Sequence, residues 1–232
     1  MLKEKQQDYV YLQEDYYKNP KEIFYFVAKL MNSNNFSCLD LGCARGEFLY
    51  YLKQNFDTTK LLGVDYSEVL IDKAQEYEGL NGVDFYVDSA ETFNSSNKFD
   101  FVTLLGTISY FDDTYFVLET IKKHLKSNGR AFILSCFNFD DVDVLVKYRN
   151  NKIFKTDEFE RGWNRHSIET IKKNLFKLGM KLVDVHNFEL SFKLQKQEDP
   201  SRAWNIETEY GRKWLNGLGF LYDLSVLEIE NI

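Results

Sequence analysis

The chain has 232 residues with a hydrophobic share of 44% and a charged share of 28%, the make-up of one generous globular domain with a sizeable buried core. No apolar run approaches the roughly 18 residues of a membrane-crossing helix, and the polar, acidic first twenty residues are unlike a signal or transit peptide, so a cytoplasmic protein without a membrane span is expected. With 29 basic against 36 acidic residues, a net charge of −7, the chain suits a phosphate backbone poorly, and nucleic acid is not expected as a partner. Cys38, Cys43 and Cys136 are odd in number and have apolar flanks, which predicts core filling rather than a disulfide framework or a zinc site.

In chain order, residues 7–17 carry Tyr9, Tyr11, Tyr16 and Tyr17 and read as a further helix or as a flap. A helix is then expected with Asn19 as N-cap, Pro20 at its first position and Glu22 closing a capping box, followed by Ile23, Phe26, Val27, Leu30 and Met31 at helical spacing. From residue 36 strands and helices alternate. Strands are predicted at 36–41, 60–65, 83–88, 99–105 and 130–136, and helices at about 46–55, 68–78 and 113–126. Ser67 is placed as an N-cap and Asn128-Gly129 as a helix stop, and a further helix opens at Ser167 and stops at Gly179. Strand-like runs in 181–194 and 204–230 lack a good helix between them, so the sheet is expected to end in an antiparallel pair.

Ligands of an open α/β sheet bind at the carboxyl ends of its strands. The first strand ends in Cys38-Leu39-Asp40-Leu41 and turns through Gly42-Cys43-Ala44-Arg45-Gly46, a G-x-x-x-G spacing without the G-x-G-x-x-G pyrophosphate fingerprint. Glycine at 42 and 46 allows a tight turn and close approach of a ligand, while Asp40 would repel phosphates and suits an ammonium group. The second strand ends at Asp65, placed to accept both hydroxyls of a ribose. The third ends at Asp88, followed by Ser89 and Ala90, where a carboxylate can accept from an exocyclic amine such as that of adenine, or can serve only as a turn or cap residue. The fourth delivers an apolar end, Leu104-Leu105.

This constellation resembles the class I S-adenosylmethionine-dependent methyltransferases of the bacterial small-molecule type, over residues 36 to 185 and more loosely to the end. Their acid-x-G-x-G-x-G motif corresponds to Asp40-Leu41-Gly42-Cys43-Ala44-Arg45-Gly46, with Ala44 in place of the middle glycine. The resemblance implies a Rossmann-like, doubly wound, mostly parallel seven-stranded sheet with an antiparallel C-terminal hairpin. It implies S-adenosyl-L-methionine as cofactor and S-adenosyl-L-homocysteine as product. Asp40, Gly42 and Gly46 would border the methionine part, Asp65 the ribose, Tyr66 the adenine face, Asp88, Ser89 and Ala90 the adenine edge, and Leu104 and Leu105 the floor beside the methyl. It also implies one domain over 1–232, with a helical cap at 1–35 and a hairpin at 187–232 serving as a lid over the acceptor.

In-line methyl transfer gains most from proximity and orientation and needs no strong acid or base. For a hydroxyl acceptor a base would help, and His166, in the turn Gly162 to Ser167 at a helix N-terminus, is the candidate, with Tyr110 after the fourth strand beside it. Asp112, Asp113, Asn138 and Asp140 are further candidates; no metal-ligand spacing is evident, though Asp112-Asp113 with Asp140-Asp141 could in principle bind Mg²⁺. His124 is read as an exposed imidazole near a helix C-terminus, His186 as a sheet-surface residue, and Asp100 as structural. Tyr9 and Tyr11 are read as packing groups, while Tyr16 and Tyr17 fit either packing or a cation–π contact with a sulfonium. The expected activity is methyl transfer to oxygen or nitrogen of a small polar acceptor, such as a saccharide or cell-surface precursor. The alternatives are a protein or RNA methyltransferase and a silent cofactor-binding module.

Overall fold

Short strands rich in Leu, Val and Phe alternate with amphipathic helices, and each helix can bury its apolar stripe only against the sheet those strands make. The computed structural model describes residue 12 and residues 15–149, 159–196 and 202–232. Its elements are α1 (Glu22–Met31), β1 (Asn35–Leu41), α2 (Glu47–Asn55), β2 (Asp57–Asp65), α3 (Glu68–Glu76), β3 (Asp84–Val87), β4 (Phe99–Leu105), α4 (Tyr115–His124) and β5 (Leu125–Ser135). They continue with β6 (Lys147–Tyr148), β7 (Glu160–Arg161), α5 (Ile168–Lys177), β8 (Met180–Phe188), β9 (Trp204–Thr208), β10 (Gly211–Leu215), β11 (Leu221–Tyr222) and β12 (Leu224–Asn231).

Seven strands form one sheet in the order β3-β2-β1-β4-β5-β12-β8. The first five are parallel, and β12 lies antiparallel to both β5 and β8. The expected antiparallel ending is present, but β8 and β12 are joined by a long excursion that builds a three-stranded sheet, β11-β10-β9, of its own. One face of the main sheet is buried against α1, α2 and α3 through Val27, Met31, Leu49, Leu52 and Ile71, and the other against α4 and α5 through Leu118, Ile121, Ile171 and Leu175. Cys38, Cys43 and Cys136 are buried thiols without disulfides.

Ser67 and Ser167 cap α3 and α5, each hydroxyl accepting the N–H of the third residue on, at 3.4 and 3.1 Å. Gly179, with φ +65°, follows α5 as expected. Three local expectations change. Helix α1 starts after Lys21, not at Asn19, whose N–H closes a turn onto the Asp15 carbonyl at 3.0 Å. The Glu22 carboxylate takes the Ser191 N–H at 2.7 Å and its hydroxyl, and so closes no capping box. Helix α4 stops at His124 because Leu125 already pairs with Phe99 of β4, and Asn128, with φ +60°, turns the chain inside β5 instead. His124 itself is fully buried: Nδ1–H donates to the Thr120 carbonyl at 2.8 Å, Nε2 accepts the Ser95 N–H at 3.1 Å, and the ring stacks on Phe93. Burial lowers its pKa, so it is a neutral cross-link and not an exposed cation at the helix end.

Candidate active site

The parallel order places the ends of β1, β2, β3 and β4 along one edge of the sheet, and the turn after β1 is the centre of that edge. Gly42 and Cys43 both donate to the Val64 carbonyl, at 2.7 and 3.0 Å, which folds the turn back onto β2. A Cβ at Gly42, whose φ is +73°, would lie 2.1 Å from the Thr107 hydroxyl, so only glycine lets the turns after β1 and β4 meet. Ala44 stands in the left-handed region with φ 50°, the conformation a middle glycine would take freely.

Ala44 also donates its N–H to Asp65 Oδ2 at 2.8 Å, while Ser67 donates to Oδ1 at 2.9 Å. Main-chain donors from both sides thus fix the carboxylate, whose oxygens are acceptors of the kind a ligand hydroxyl meets. Tyr66 is next in the chain and exposed. At the end of β3, Asp88 Oδ1 accepts from the Ser89 N–H at 2.7 Å and the Thr92 hydroxyl at 2.9 Å. Asp88 is therefore a turn residue in fact, and its second oxygen has no partner among the described residues. Ser89 is half-buried and Ala90 buried beside it. Leu105 and Gly106 end β4 with the glycine facing open space, since a Cβ there would meet nothing within 4 Å. Leu104 differs: it is fully buried in the core with Leu118 and Ile121 and offers no surface to this edge.

Asp40 sits beneath the glycine turn with 3% of its surface exposed and accepts the Thr103 hydroxyl at 2.7 Å. Burial raises its pKa to about 7; Asp65 and Glu47 push the same way, against Thr103 and Lys21. The further charged neighbours of Asp40 come from the turn itself and from the chain before α1. Glu47 is buried and paired with Arg45 at 3.1 Å. Lys21 lies over the Tyr16 ring, 4.3 Å from its centre, and burial lowers its pKa against the pull of Tyr16 and Glu47. Tyr17 donates to the Arg45 carbonyl at 2.5 Å and stacks on Tyr77, so these two tyrosines pack the α1 entrance against the glycine turn. Tyr9 and Tyr11 lie outside the described residues.

The acceptor-side expectations change most. His166 is 3% exposed, and its Nε2–H donates to the Phe111 carbonyl at 2.9 Å. Burial keeps it neutral, with the Phe111 bond, Asp143 and Asp112 opposing, and its place is a tie between the loop after β4 and the start of α5 rather than an open base. Asn164, unremarkable in sequence, is fully buried and does more of this tying. It accepts the Val146 N–H at 2.8 Å and donates to the Phe111 carbonyl at 3.0 Å and Asp112 Oδ1 at 3.1 Å. Tyr110 is half-buried, its hydroxyl accepting Trp163 Nε1–H at 3.2 Å. Of the acids suited to Mg²⁺, Asp112 faces Arg161 at 3.3 Å and Asp141 faces Lys173 at 3.8 Å. No three His, Cys, Asp or Glu side chains among the described residues are grouped to hold a metal, and no helix among them is long and apolar enough to cross a membrane.

A model of the methyltransferase domain matches residues 32–177, well over half of the chain. Protein-lysine N-methyltransferase EFM4 of Saccharomyces cerevisiae is 29% identical over 146 residues, covering 55% of this chain and 63% of that protein. Malonyl-[acyl-carrier protein] O-methyltransferase 1 of Ilyobacter polytropus is 23% identical over 155 residues, covering 62% of this chain and 56% of that protein. The chain thus spans less than two thirds of the length of these curated relatives. Among solved structures, N-methyltransferase NodS from Bradyrhizobium japonicum in complex with S-adenosyl-L-homocysteine shares the fold, with a TM-score of 0.59 at 14% identity over 95% of this chain and 90% of that one. The matched region contains the glycine turn, the three strand-end carboxylates and the parallel strands β1 to β5: the chain belongs to the methyltransferase domain family.

Proposed function

We propose that this protein transfers a methyl group from S-adenosylmethionine to an oxygen or nitrogen of a small polar acceptor. The observation that carries the reading is the row of carboxylates, Asp40, Asp65 and Asp88, at the ends of three adjacent parallel strands, flanked by a glycine turn and by the open space at Gly106. Buried Asp40 with Glu47 suits an ammonium, the twice-held Asp65 suits a ribose diol, and the unengaged oxygen of Asp88 suits the adenine amine. The residues present therefore fit the cofactor. When bound, it supplies an electrophilic methyl on a cationic sulfur. An acceptor lone pair would take that methyl, with the carbon–sulfur electron pair left on sulfur and the acceptor's proton released to solvent.

What the chain contributes is position. Main-chain donors fix Asp65, the contact of Gly42 with Thr107 fixes the two turns, and Asn164 with His166 fixes the acceptor-side loops. Orientation of this kind supplies roughly 7–11 kcal/mol of a barrier. A small acceptor is favoured because these loops and the segment after β10 build up the acceptor side: Leu218 comes close to Gly162.

Calorimetry tests the reading. S-adenosylhomocysteine should bind with one site per chain, and Asp65→Ala should weaken it about 10- to 100-fold, the loss of a charged hydrogen-bond acceptor worth roughly 1.5–3 kcal/mol. Absence of binding to the unaltered protein overturns the reading. Release of S-adenosylhomocysteine on screening small hydroxyl and amine acceptors distinguishes the enzyme from a silent module.

A further inference from the structure

One cation on the acceptor side is sealed at one nitrogen. Arg165 lies in the extended segment before α5, where its main chain bonds Val144 in both directions at 2.9 Å. Side chains alternate along such a segment. Its neighbours Asn164 and His166 both turn to the Phe111 carbonyl and are buried there. Arg165 turns the other way, on a segment held to the chain that follows β5 by Asn138, which donates to the His166 carbonyl and accepts the Ile168 N–H, both at 2.9 Å. Its Nε is sealed from solvent, and among the described residues it has no hydrogen-bond partner. The nearby acids are engaged elsewhere, Asp112 with Arg161 and Asn164, and Asp143 with Ser167 and Thr170.

A sealed guanidinium nitrogen without a partner costs stability, and retention of such a group points to a ligand that completes it. The location says which ligand. Asn138, which holds this segment, follows β5, and β5 reaches the open space at Gly106 through Leu134, the strand partner of Leu105: the Leu134 carbonyl accepts the Gly106 N–H at 3.0 Å. The guanidinium is therefore on the β5 side of the place where, on the proposed reading, the methyl is presented.

We propose that Arg165 anchors the acceptor by an anionic group, a carboxylate or a phosphate, so that the substrates are small acids bearing a separate hydroxyl or amine to be methylated. This rests on the methyltransferase reading and names its substrate class. The anion is the handle and not the nucleophile, because charge-assisted hydrogen bonds to guanidinium draw electron density from its oxygens and hold them in the plane of the fork. Methyl transfer then joins carbon to the other oxygen or nitrogen, with the carbon–sulfur pair left on sulfur and the acceptor proton released.

The test uses the full chain saturated with S-adenosylhomocysteine and titrated with glutarate, inorganic phosphate or chloride at constant ionic strength. Melting temperature is read in all proteins, and the Arg165 Nε–H resonance in the unaltered one. Glutarate or phosphate, but not chloride, should raise the melting temperature and shift the resonance saturably, and the stronger of the two identifies the anion. Arg165→Gln should abolish the rise, and Arg165→Lys, measured alongside in case the Gln variant folds poorly, should weaken it at least tenfold. Equal effects of all three salts, or an unchanged response in both variants, overturn the anchor. S-adenosylhomocysteine affinity in the same samples should stay within about twofold in the variants. Loss of that affinity in the unaltered protein is a different result, which removes the methyltransferase reading and the anchor with it.

Discussion

Asp40 shows how a single residue can tie this site to pH. Its pKa, raised mainly by burial to about 7 from the ordinary carboxyl value of 3.8, means that between the two the folded protein holds a proton there which the unfolded chain has already lost. The contribution to stability is therefore full below the unfolded pKa and is lost as pH rises through about 7. Asp40→Asn should make the ligand-free protein more stable by up to roughly 4 kcal/mol at about pH 8 and flatten the pH dependence, read by urea unfolding. The same variant should bind S-adenosylhomocysteine more weakly, and binding to the unaltered protein should tighten as pH rises through about 7, when the carboxylate is free to meet an ammonium. His166 tests the opposite kind of role. As a buried tie, His166→Ala should cost about 1–3 kcal/mol in unfolding free energy with S-adenosylhomocysteine affinity retained; a base would show lost turnover at unchanged stability. Strand-end acids such as Asp65 were legible in sequence because β-strand period and a short turn fix where they stand. Asn164 was not, since its partners Phe111 and Asp112 lie more than fifty residues away and no local pattern encodes them, and nothing in the sequence around Arg165 marks its sealed Nε.

At the scale of elements, two glycines with similar backbone angles have different duties. Gly42 has φ +73° and Thr107 against it, so Gly42→Ala must push apart the turns after β1 and β4 and should lower both stability and cofactor affinity. Gly106 has φ +90° with empty space around it, so Gly106→Ala should cost only the roughly 1–2 kcal/mol of a left-handed alanine while filling room the cofactor would use. Thermal unfolding with and without S-adenosylhomocysteine separates the two: the first variant should fall in both conditions, the second chiefly in the loss of ligand-induced stabilisation. Caps at Ser67 and Ser167 were readable from sequence because they depend on neighbours three residues away. The start of α1 was not, because Glu22 is drawn to Ser191, and the end of α4 was set by the pairing of Leu125 with Phe99.

Across the whole molecule, the alternation of strands and helices announced the parallel half of the sheet and its doubly wound character. The antiparallel finish could also be anticipated, from the missing crossover helix. The seating of β12 between β5 and β8, and the separate sheet β9 to β11 raised from the connection between them, could not, because strand order is decided by which edge an apolar strand can cover and not by its own pattern. That seating has a temporal side. Strands β1 to β5 meet partners through short crossovers, whereas Arg130 must find Glu230, about one hundred positions along, before β8 has any neighbour in the sheet. Ladders between such distant segments form slowly, so the nucleotide half is the natural early folding unit and the zipping-in of β12 the late event. Until that event the edge of β5 is bare, and a second chain in the same half-built condition could pair there, which makes β12 the safeguard of the nascent fold against self-association.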